Sequence, residues 1–341
     1  MIIYIAIYFI LLIGSFTGLK PQTLGLYLFF LIILLGLRSS EIGADTERYI
    51  DYYNYVDLGV GHMEIGWNVL SILCKKIGLS AYLFNLLIAL LTLLFFGYGI
   101  RRQESKRVYG NALFLLYSLG FYFLMFNGMR QLFAGSIVFL AFQMLFEKHR
   151  KWKALLLILV ASLFHTSALI TLPVLILPNV KLTTQKVIIA LVISFIIGLF
   201  LNESMLALIA GKYAHDVTTF GMRDSFAYAL TVGLFTNALF IWMFSLSNDI
   251  FKNNLWVKVF FLSIIVMNLL INLVIGPRIV YFFSVAQIIA ISLFLAEAKS
   301  NIYMVICHVY ALLTFIRFMI GEYYSKEGSL IPYQMVEFSL L

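Results

Sequence analysis

Charge is what this sequence has least of. Only 12% of its 341 residues are Asp, Glu, Lys or Arg, roughly half the share of a soluble globular chain, while 62% are hydrophobic and the mean hydropathy is +0.98. A water-soluble enzyme is excluded. Proline is scarce as well, at 5 residues, against 32 Phe and 20 Tyr, which excludes disordered, collagen-like and repeat-array chains. The two cysteines, Cys74 and Cys307, lie in or beside apolar sequence with no Cys or His at ligand spacing, so neither a disulfide framework nor a metal centre is expected. Walker GKS/GKT, HExxH and GxSxG patterns are missing too, which leaves ATP-driven pumping and zinc or serine hydrolysis without support. No cofactor is expected, and the energy comes from the substrate or a gradient.

What the chain does have is apolar runs of near 20 residues. Hydropathy places spans near 1–18, 22–37, 79–100, 110–126, 130–147, 152–177, 186–203, 226–248, 255–275, 278–297 and 300–320. The expectation is an all-α polytopic integral membrane protein with about 11 transmembrane helices, within 10–12, forming a single membrane domain over 1–341. The first span lacks a basic leader and is followed by Lys20, so it reads as a retained helix entering from outside. Basic residues then cluster at 101–107 and 148–153, whereas six of the 16 acids fall between Glu41 and Glu64. By the positive-inside rule the clusters face the cytoplasm, and the acidic, aromatic-rich segment 38–78, with short helices, lies outside. The net charge of +8 therefore reports membrane orientation and gives no reason to expect nucleic acid. A second longer loop is expected at 203–225. If 152–177 is one tilted span, Arg278 falls inside; if it is broken in two, Arg278 falls outside.

Candidate chemistry collects in the outer segment and at helix ends. Tyr49 and Tyr53 recur at helical spacing, which stacks them on one face beside Asp45, Glu64 and Trp67. Aromatic rings pack on the apolar faces of sugars, and a nearby carboxylate can take a hydroxyl proton. Asp45 reads equally as a helix N-cap after Gly43. Arg130 opens an apolar helix, with Asn127 one turn earlier. A guanidinium there is costly unless paired or facing a polar cavity, and its planar donors match phosphate oxygens; the plain alternative is a snorkelling interfacial side chain. His165, followed by Thr166 and Ser167 in apolar surroundings, is either a titratable functional group or a neutral helix–helix hydrogen-bond partner. Arg278, after Gly276-Pro277, is either a second anion ligand or an interfacial anchor.

In order, the pieces Arg38, Gly43-Ala44-Asp45, Tyr49, Glu64-Ile65-Gly66-Trp67, Asn127, Arg130-Gln131, His165-Thr166-Ser167-Ala168, Arg278 and Pro332-Tyr333 resemble the EpsG-like branch of the Wzy-type polysaccharide polymerases. Together they span most of the chain. The resemblance implies a membrane glycosyltransferase of GT-C-like arrangement in the bacterial inner (cytoplasmic) membrane, working at its outer face. It implies a growing glycan on undecaprenyl diphosphate as donor, an undecaprenyl-diphosphate-linked O-antigen or exopolysaccharide repeat unit as acceptor at its non-reducing end, and a chain-length regulator protein as a further partner. On that reading Arg130, Arg278 and Arg38 hold the diphosphate, Tyr49, Tyr53, Trp67 and Asn127 contact glycan, and Asp45, ahead of His165 and Glu64, is the base. A flippase or transporter of lipid-linked oligosaccharide, a membrane O-acyltransferase using His165, and an O-antigen ligase are the competing readings. A transporter is expected to show two related halves and a polar path through several helices, whereas here the polar positions gather early in the chain and at helix boundaries.

Overall fold

The computed structural model describes residues 1–56, 63–148, 150–201, 226–273, 276–298, 300–324, 330–337 and 339. The expected loop at 203–225 lies outside the described residues. Helices account for nearly all of the regular structure, and the one β-bridge among the described residues joins Arg38 to Met335.

The chain clusters into two compact units, Met1–Leu169 with Ile291–Leu341, and Ile170–Ala290. The first holds helices α1 (Ile2–Thr17), α2 (Pro21–Gly36), α3 (Thr46–Tyr55), α4 (Ile65–Lys76), α5 (Ala81–Arg101), α6 (Lys106–Ser118), α7 (Phe121–Asn127), α8 (Met129–Lys148) and α9 (Lys151–Ser162). Their boundaries are chemical. Pro21 occupies the first turn of α2, where its missing N–H costs nothing. The Ser80 and Ser105 hydroxyls accept from the N–H groups of Leu83 and Val108 and so cap α5 and α6. A 3-10 helix, Thr166–Asn179, follows α9. The second unit carries α10 (Thr184–Phe200), α11 (Phe226–Leu246), α12 (Asp249–Asn253), α13 (Leu255–Leu269) and α14 (Gly276–Ser284); α15 (Ala286–Ala296) starts in the second unit and passes into the first at Ile291, and α16 (Asn301–Tyr324) belongs to the first.

Among the described residues three helices are long and apolar enough to cross a membrane, Ala81–Arg101, Met129–Glu147 and Asn301–Tyr324. The count is five if the bent pairs α6–α7 (43°) and α14–α15 (47°) are each one span, and shorter apolar helices accompany them. Composition and helices together make this an integral membrane protein. The stretch expected at 152–177 is interrupted: α9 stops at Ser162, and the 3-10 helix, which contains Pro173 and Pro178, starts at Thr166. His165 sits in that break, half-buried, with its N–H on the Ala161 carbonyl at 3.0 Å.

Within the first unit the helices sort their ends by charge. Arg102 Nε meets Glu147 Oε1 at 2.5 Å, Gln103 Nε2 donates to Gln143 Oε1 at 2.8 Å, and the Leu19 N–H donates to the Lys106 carbonyl at 2.9 Å. Those contacts gather the basic end of the unit, from Lys20 through 101–107 to the start of α9. The opposite ends of α2, α5, α8 and α9 carry the acidic segment with α3 and α4. Along α4, Ile65, Val69 and Leu73, and Ile77 just past its end, point outward in one stripe at four-residue spacing, the pattern of a helix that lies against lipid.

In the second unit buried amides join three helices. Asn237 and Asn268 exchange two hydrogen bonds, Nδ2 to Oδ1 at 2.7 Å and 3.0 Å, and Asn268 Nδ2 also reaches Ser194 Oγ at 3.0 Å. The same amides also donate to the Gly233 carbonyl at 2.7 Å and the Leu191 carbonyl at 3.2 Å, and the network ties α10, α11 and α13 together.

Candidate functional site

Four separate stretches of the sequence meet at the acidic end of the first unit. The first is the turn before α3. Gly43 has φ +89°, and a Cβ there would stand 2.7 Å from the Phe126 carbonyl and 2.9 Å from Asn127 Oδ1. Only glycine accepts both the backbone angle and that approach. The Ala44 N–H then donates to Asn127 Oδ1 at 2.8 Å, so the amide oxygen of Asn127 is used to hold the turn. Asn127 was expected to contact glycan; its carbonyl is committed to the fold instead.

Arg38 anchors the same turn from inside. It is fully buried, with Nε donating to Thr46 Oγ1 at 3.0 Å, Nη2 to the Phe126 carbonyl at 3.2 Å, Nη1 to the Leu35 carbonyl, and its guanidinium 5.2 Å from the Phe126 ring. Burial pulls its pKa down to about 10, and the electrostatic influence of the surrounding tyrosines, Tyr122 foremost, opposes that. The C-terminal segment closes over it, with the Ser39 N–H on the Gln334 carbonyl at 3.0 Å, the Val336 N–H on the Leu37 carbonyl at 2.9 Å, and Tyr333 donating to the Leu34 carbonyl at 2.8 Å. The expectation that Arg38 holds diphosphate is therefore corrected. Its donors are spent on protein oxygens where a substrate does not reach.

Asp45 occupies the N-cap position of α3, yet its side chain makes no capping hydrogen bond. It is half-exposed. The carboxylate is left available, so the capping reading does not describe it.

The aromatic face of α3 also needs correction. Tyr49, Tyr53 and Trp67 are 7%, 2% and 1% exposed. Tyr53 stacks on Phe84 with centroids 4.7 Å apart and donates to the Leu79 carbonyl at 2.8 Å, while Trp67 meets Phe84 edge-on at 5.3 Å. Helical spacing marks a common face correctly, but the aromatic face of an amphipathic helix is the one that buries. Tyr53 and Trp67 hold α3 and α4 to α5 and are closed to sugar. The open aromatic side of α3 is Tyr52, half-exposed, and Tyr55, 82% exposed; sequence reading passed over both. Their i, i+3 spacing, on the charged side of the helix, was the signal.

Arg130 stands at the centre. Its Nη1 donates to Glu64 Oε2 in an ion pair whose side chains keep 25% and 20% of their exposure. The Arg130 guanidinium also lies 6.0 Å from the Tyr49 ring. Burial raises the pKa of Tyr49, and Arg130 works against that rise. Glu64 Oε1 in turn accepts from the Thr166 N–H at 3.4 Å. The close packing behind this contact explains the glycine at 66: its N–H donates to the Leu163 carbonyl at 2.8 Å, and a Cβ there would stand 2.7 Å from the same oxygen. Thus Glu64-Ile65-Gly66, Arg130 and His165-Thr166 are brought together. Tyr52, whose hydroxyl donates to Asn68 Oδ1, lies within electrostatic range of both Arg130 and Glu64.

Arg278 belongs to the second unit, exposed in the first turn of α14 directly after Pro277. Among the described residues no group of three or more His, Cys, Asp or Glu could hold a metal ion. The site is thus a half-open cation with one carboxylate on it and the Tyr52 hydroxyl within electrostatic range of both.

Searches of curated proteins and of solved structures gave no match. The EpsG family model matches residues 23–335, which takes in Arg38, Asp45, Glu64, Asn127, Arg130, His165 and Arg278. The chain is a member of the EpsG family.

Proposed function

We propose that this protein is a polysaccharide repeat-unit polymerase. It transfers a growing glycan from undecaprenyl diphosphate to the non-reducing end of an undecaprenyl-diphosphate-linked repeat unit, at the outer face of the bacterial cytoplasmic membrane. About eleven helical segments in a GT-C-like arrangement carry the site. Family membership supports the polymerase reading, and the observation that carries the chemistry is Arg130, a half-exposed guanidinium at the end of the bundle away from the basic residues. The basic end is the cytoplasmic one by the positive-inside rule, so the site opens outward. The outward apolar stripe of α4 begins at the residue after Glu64, which suits a substrate whose lipid stays in the bilayer while its diphosphate reaches Arg130.

In the reaction the acceptor hydroxyl oxygen attacks the donor's anomeric carbon. The bond from that carbon to the diphosphate oxygen breaks, and its electron pair leaves with the diphosphate. Arg130 neutralises the charge growing on the leaving group, an interaction that strengthens toward the transition state. Asp45 takes the hydroxyl proton, because its carboxylate is half-exposed and unused by the helix cap. Tyr52 and Tyr55 offer the accessible aromatic surface for sugar, with Tyr49 positioning Arg130. Arg278 is a second candidate contact for phosphate, judged by its own substitution.

The test is complementation of a host deleted for the gene. Wild type should restore a long-chain ladder of surface polysaccharide, and Arg130→Ala, present in the membrane at equal amount, should leave single repeat units. A deletion that keeps the ladder but alters acylation, or that strands lipid-linked units on the cytoplasmic side, would replace this reading with the acyltransferase or the flippase. A ladder made but never attached to its final acceptor would indicate a ligase.

A further inference from the structure

We infer that Glu64 is a built-in counter-anion that occupies the phosphate seat of Arg130 and is displaced when substrate binds. The inference rests on the reading of Arg130 as the diphosphate ligand. Its basis is the way the pair is built. A guanidinium offers five N–H donors in a plane, and here one carboxylate oxygen takes Nη1 while the other leans on the Thr166 N–H. Arg130 Nε is buried with no hydrogen-bond partner among the described residues. The cation is thus neutralised but not saturated, as one carboxylate has too few oxygens to reach the whole fork. A diphosphate carries more charge and more acceptor oxygens, so it can satisfy donors that Glu64 leaves idle.

The surroundings allow the exchange. Both side chains are partly exposed, so a ligand has access, and the pair is not sealed as Arg38 is. Glu64 lies immediately before α4, preceding a helix whose start is pinned by the Gly66–Leu163 contact, so the carboxylate can swing by its own rotamers while the backbone stays fixed. The Tyr49 ring, buried and 6.0 Å from the guanidinium, stays beside Arg130 when Glu64 departs. Until substrate arrives the carboxylate also spares Arg130 the cost of an unpaired charge at the membrane surface. The consequence is selectivity by charge: a ligand must bind the seat better than a tethered carboxylate does.

The experiment uses the full-length chain in detergent micelles and inorganic pyrophosphate as probe, with binding followed by titration calorimetry. Glu64→Gln and Glu64→Ala should each bind pyrophosphate about tenfold more tightly than wild type, the yield from removing one charge-assisted competitor. Arg130→Ala should bind none. The two Glu64 variants differ in packing but remove the same charge, so an effect of misfolding would not be shared as a gain. If both bind pyrophosphate no better than wild type while Arg130→Ala still abolishes binding, Glu64 supports the seat and does not compete for it. The counter-anion role is then overturned and the diphosphate reading stands. If Arg130→Ala binds as wild type does, or if no variant binds, the diphosphate reading falls and takes this inference with it.

Discussion

Arg38 and Arg130 look alike in sequence, each an arginine at the boundary of an apolar helix, and the fold gives them opposite work. Around Arg38 the protein supplies Thr46 Oγ1, two backbone carbonyls and an aromatic ring, then closes the C-terminal segment over all of it. Around Arg130 it supplies a single carboxylate and a tyrosine, and leaves a quarter of the side chain open. A buried charge satisfied by neutral dipoles is a structural joint. A half-open charge held by one anion, displaceable on the reading proposed above, is the place where that reading puts a ligand.

Substitutions should separate the two regions by what they change. Arg130→Ala is expected to have the largest effect, a loss of polymer formation of about 10²–10³-fold with the protein still in the membrane, the scale of removing a transition-state charge contact. Arg130→Lys should recover little, since a lysine lacks the planar fork; full recovery would mean that a point charge suffices. Arg38→Ala should instead cost about 3 kcal/mol of stability, visible as lost protein in the membrane fraction and a lowered melting temperature. An Arg38→Ala protein that is stable but inactive would erase the contrast. Asp45→Asn should lower turnover about 10²-fold with an unchanged melting temperature, because its side chain caps nothing. Tyr53→Phe removes the hydrogen bond to Leu79 and should cost about 1 kcal/mol, leaving affinity for glycan as it was. A specific loss of glycan affinity there would put sugar on the face that the fold buries.

The smallest expected effect is on alkaline stability. Burial pushes the Tyr53 and Tyr333 phenols up to about 12, from an ordinary value of 10.0. The folded state thus holds the proton more tightly than the unfolded state does. Their contribution is fully present below pH 10.0 and drains away as pH rises toward 12. Melting temperature followed across that window should fall less in a Tyr53→Phe, Tyr333→Phe double variant than in wild type.

Much of the site was legible because its residue types are improbable where they stand. Arg130 and His165 interrupt apolar sequence, and Glu64-Ile65-Gly66 recurs as a short motif before an amphipathic helix. Sequence could not say that Glu64 would be spent on Arg130, since 66 positions separate them and only the packing of Gly66 on Leu163 closes the gap. Nor could it tell which side of α3 faces out. Tyr49 and Tyr53 repeat at helical spacing whether that face meets sugar or Phe84, and the apolar partner wins because burying two large rings outweighs leaving them wet.

What the sequence determined by itself is the solvent and the element type: too little charge for water, and apolar stretches that must satisfy their backbone as helices. The 3-10 helix Thr166–Asn179, with Pro173 and Pro178 inside it, belongs to that local chemistry too. The tertiary structure decided the roles. Whether an arginine is a joint or a seat depends on how many protein oxygens reach it; Leu35 supplies one locally, but those of Phe126 and Glu64 are brought close only when the helices pack.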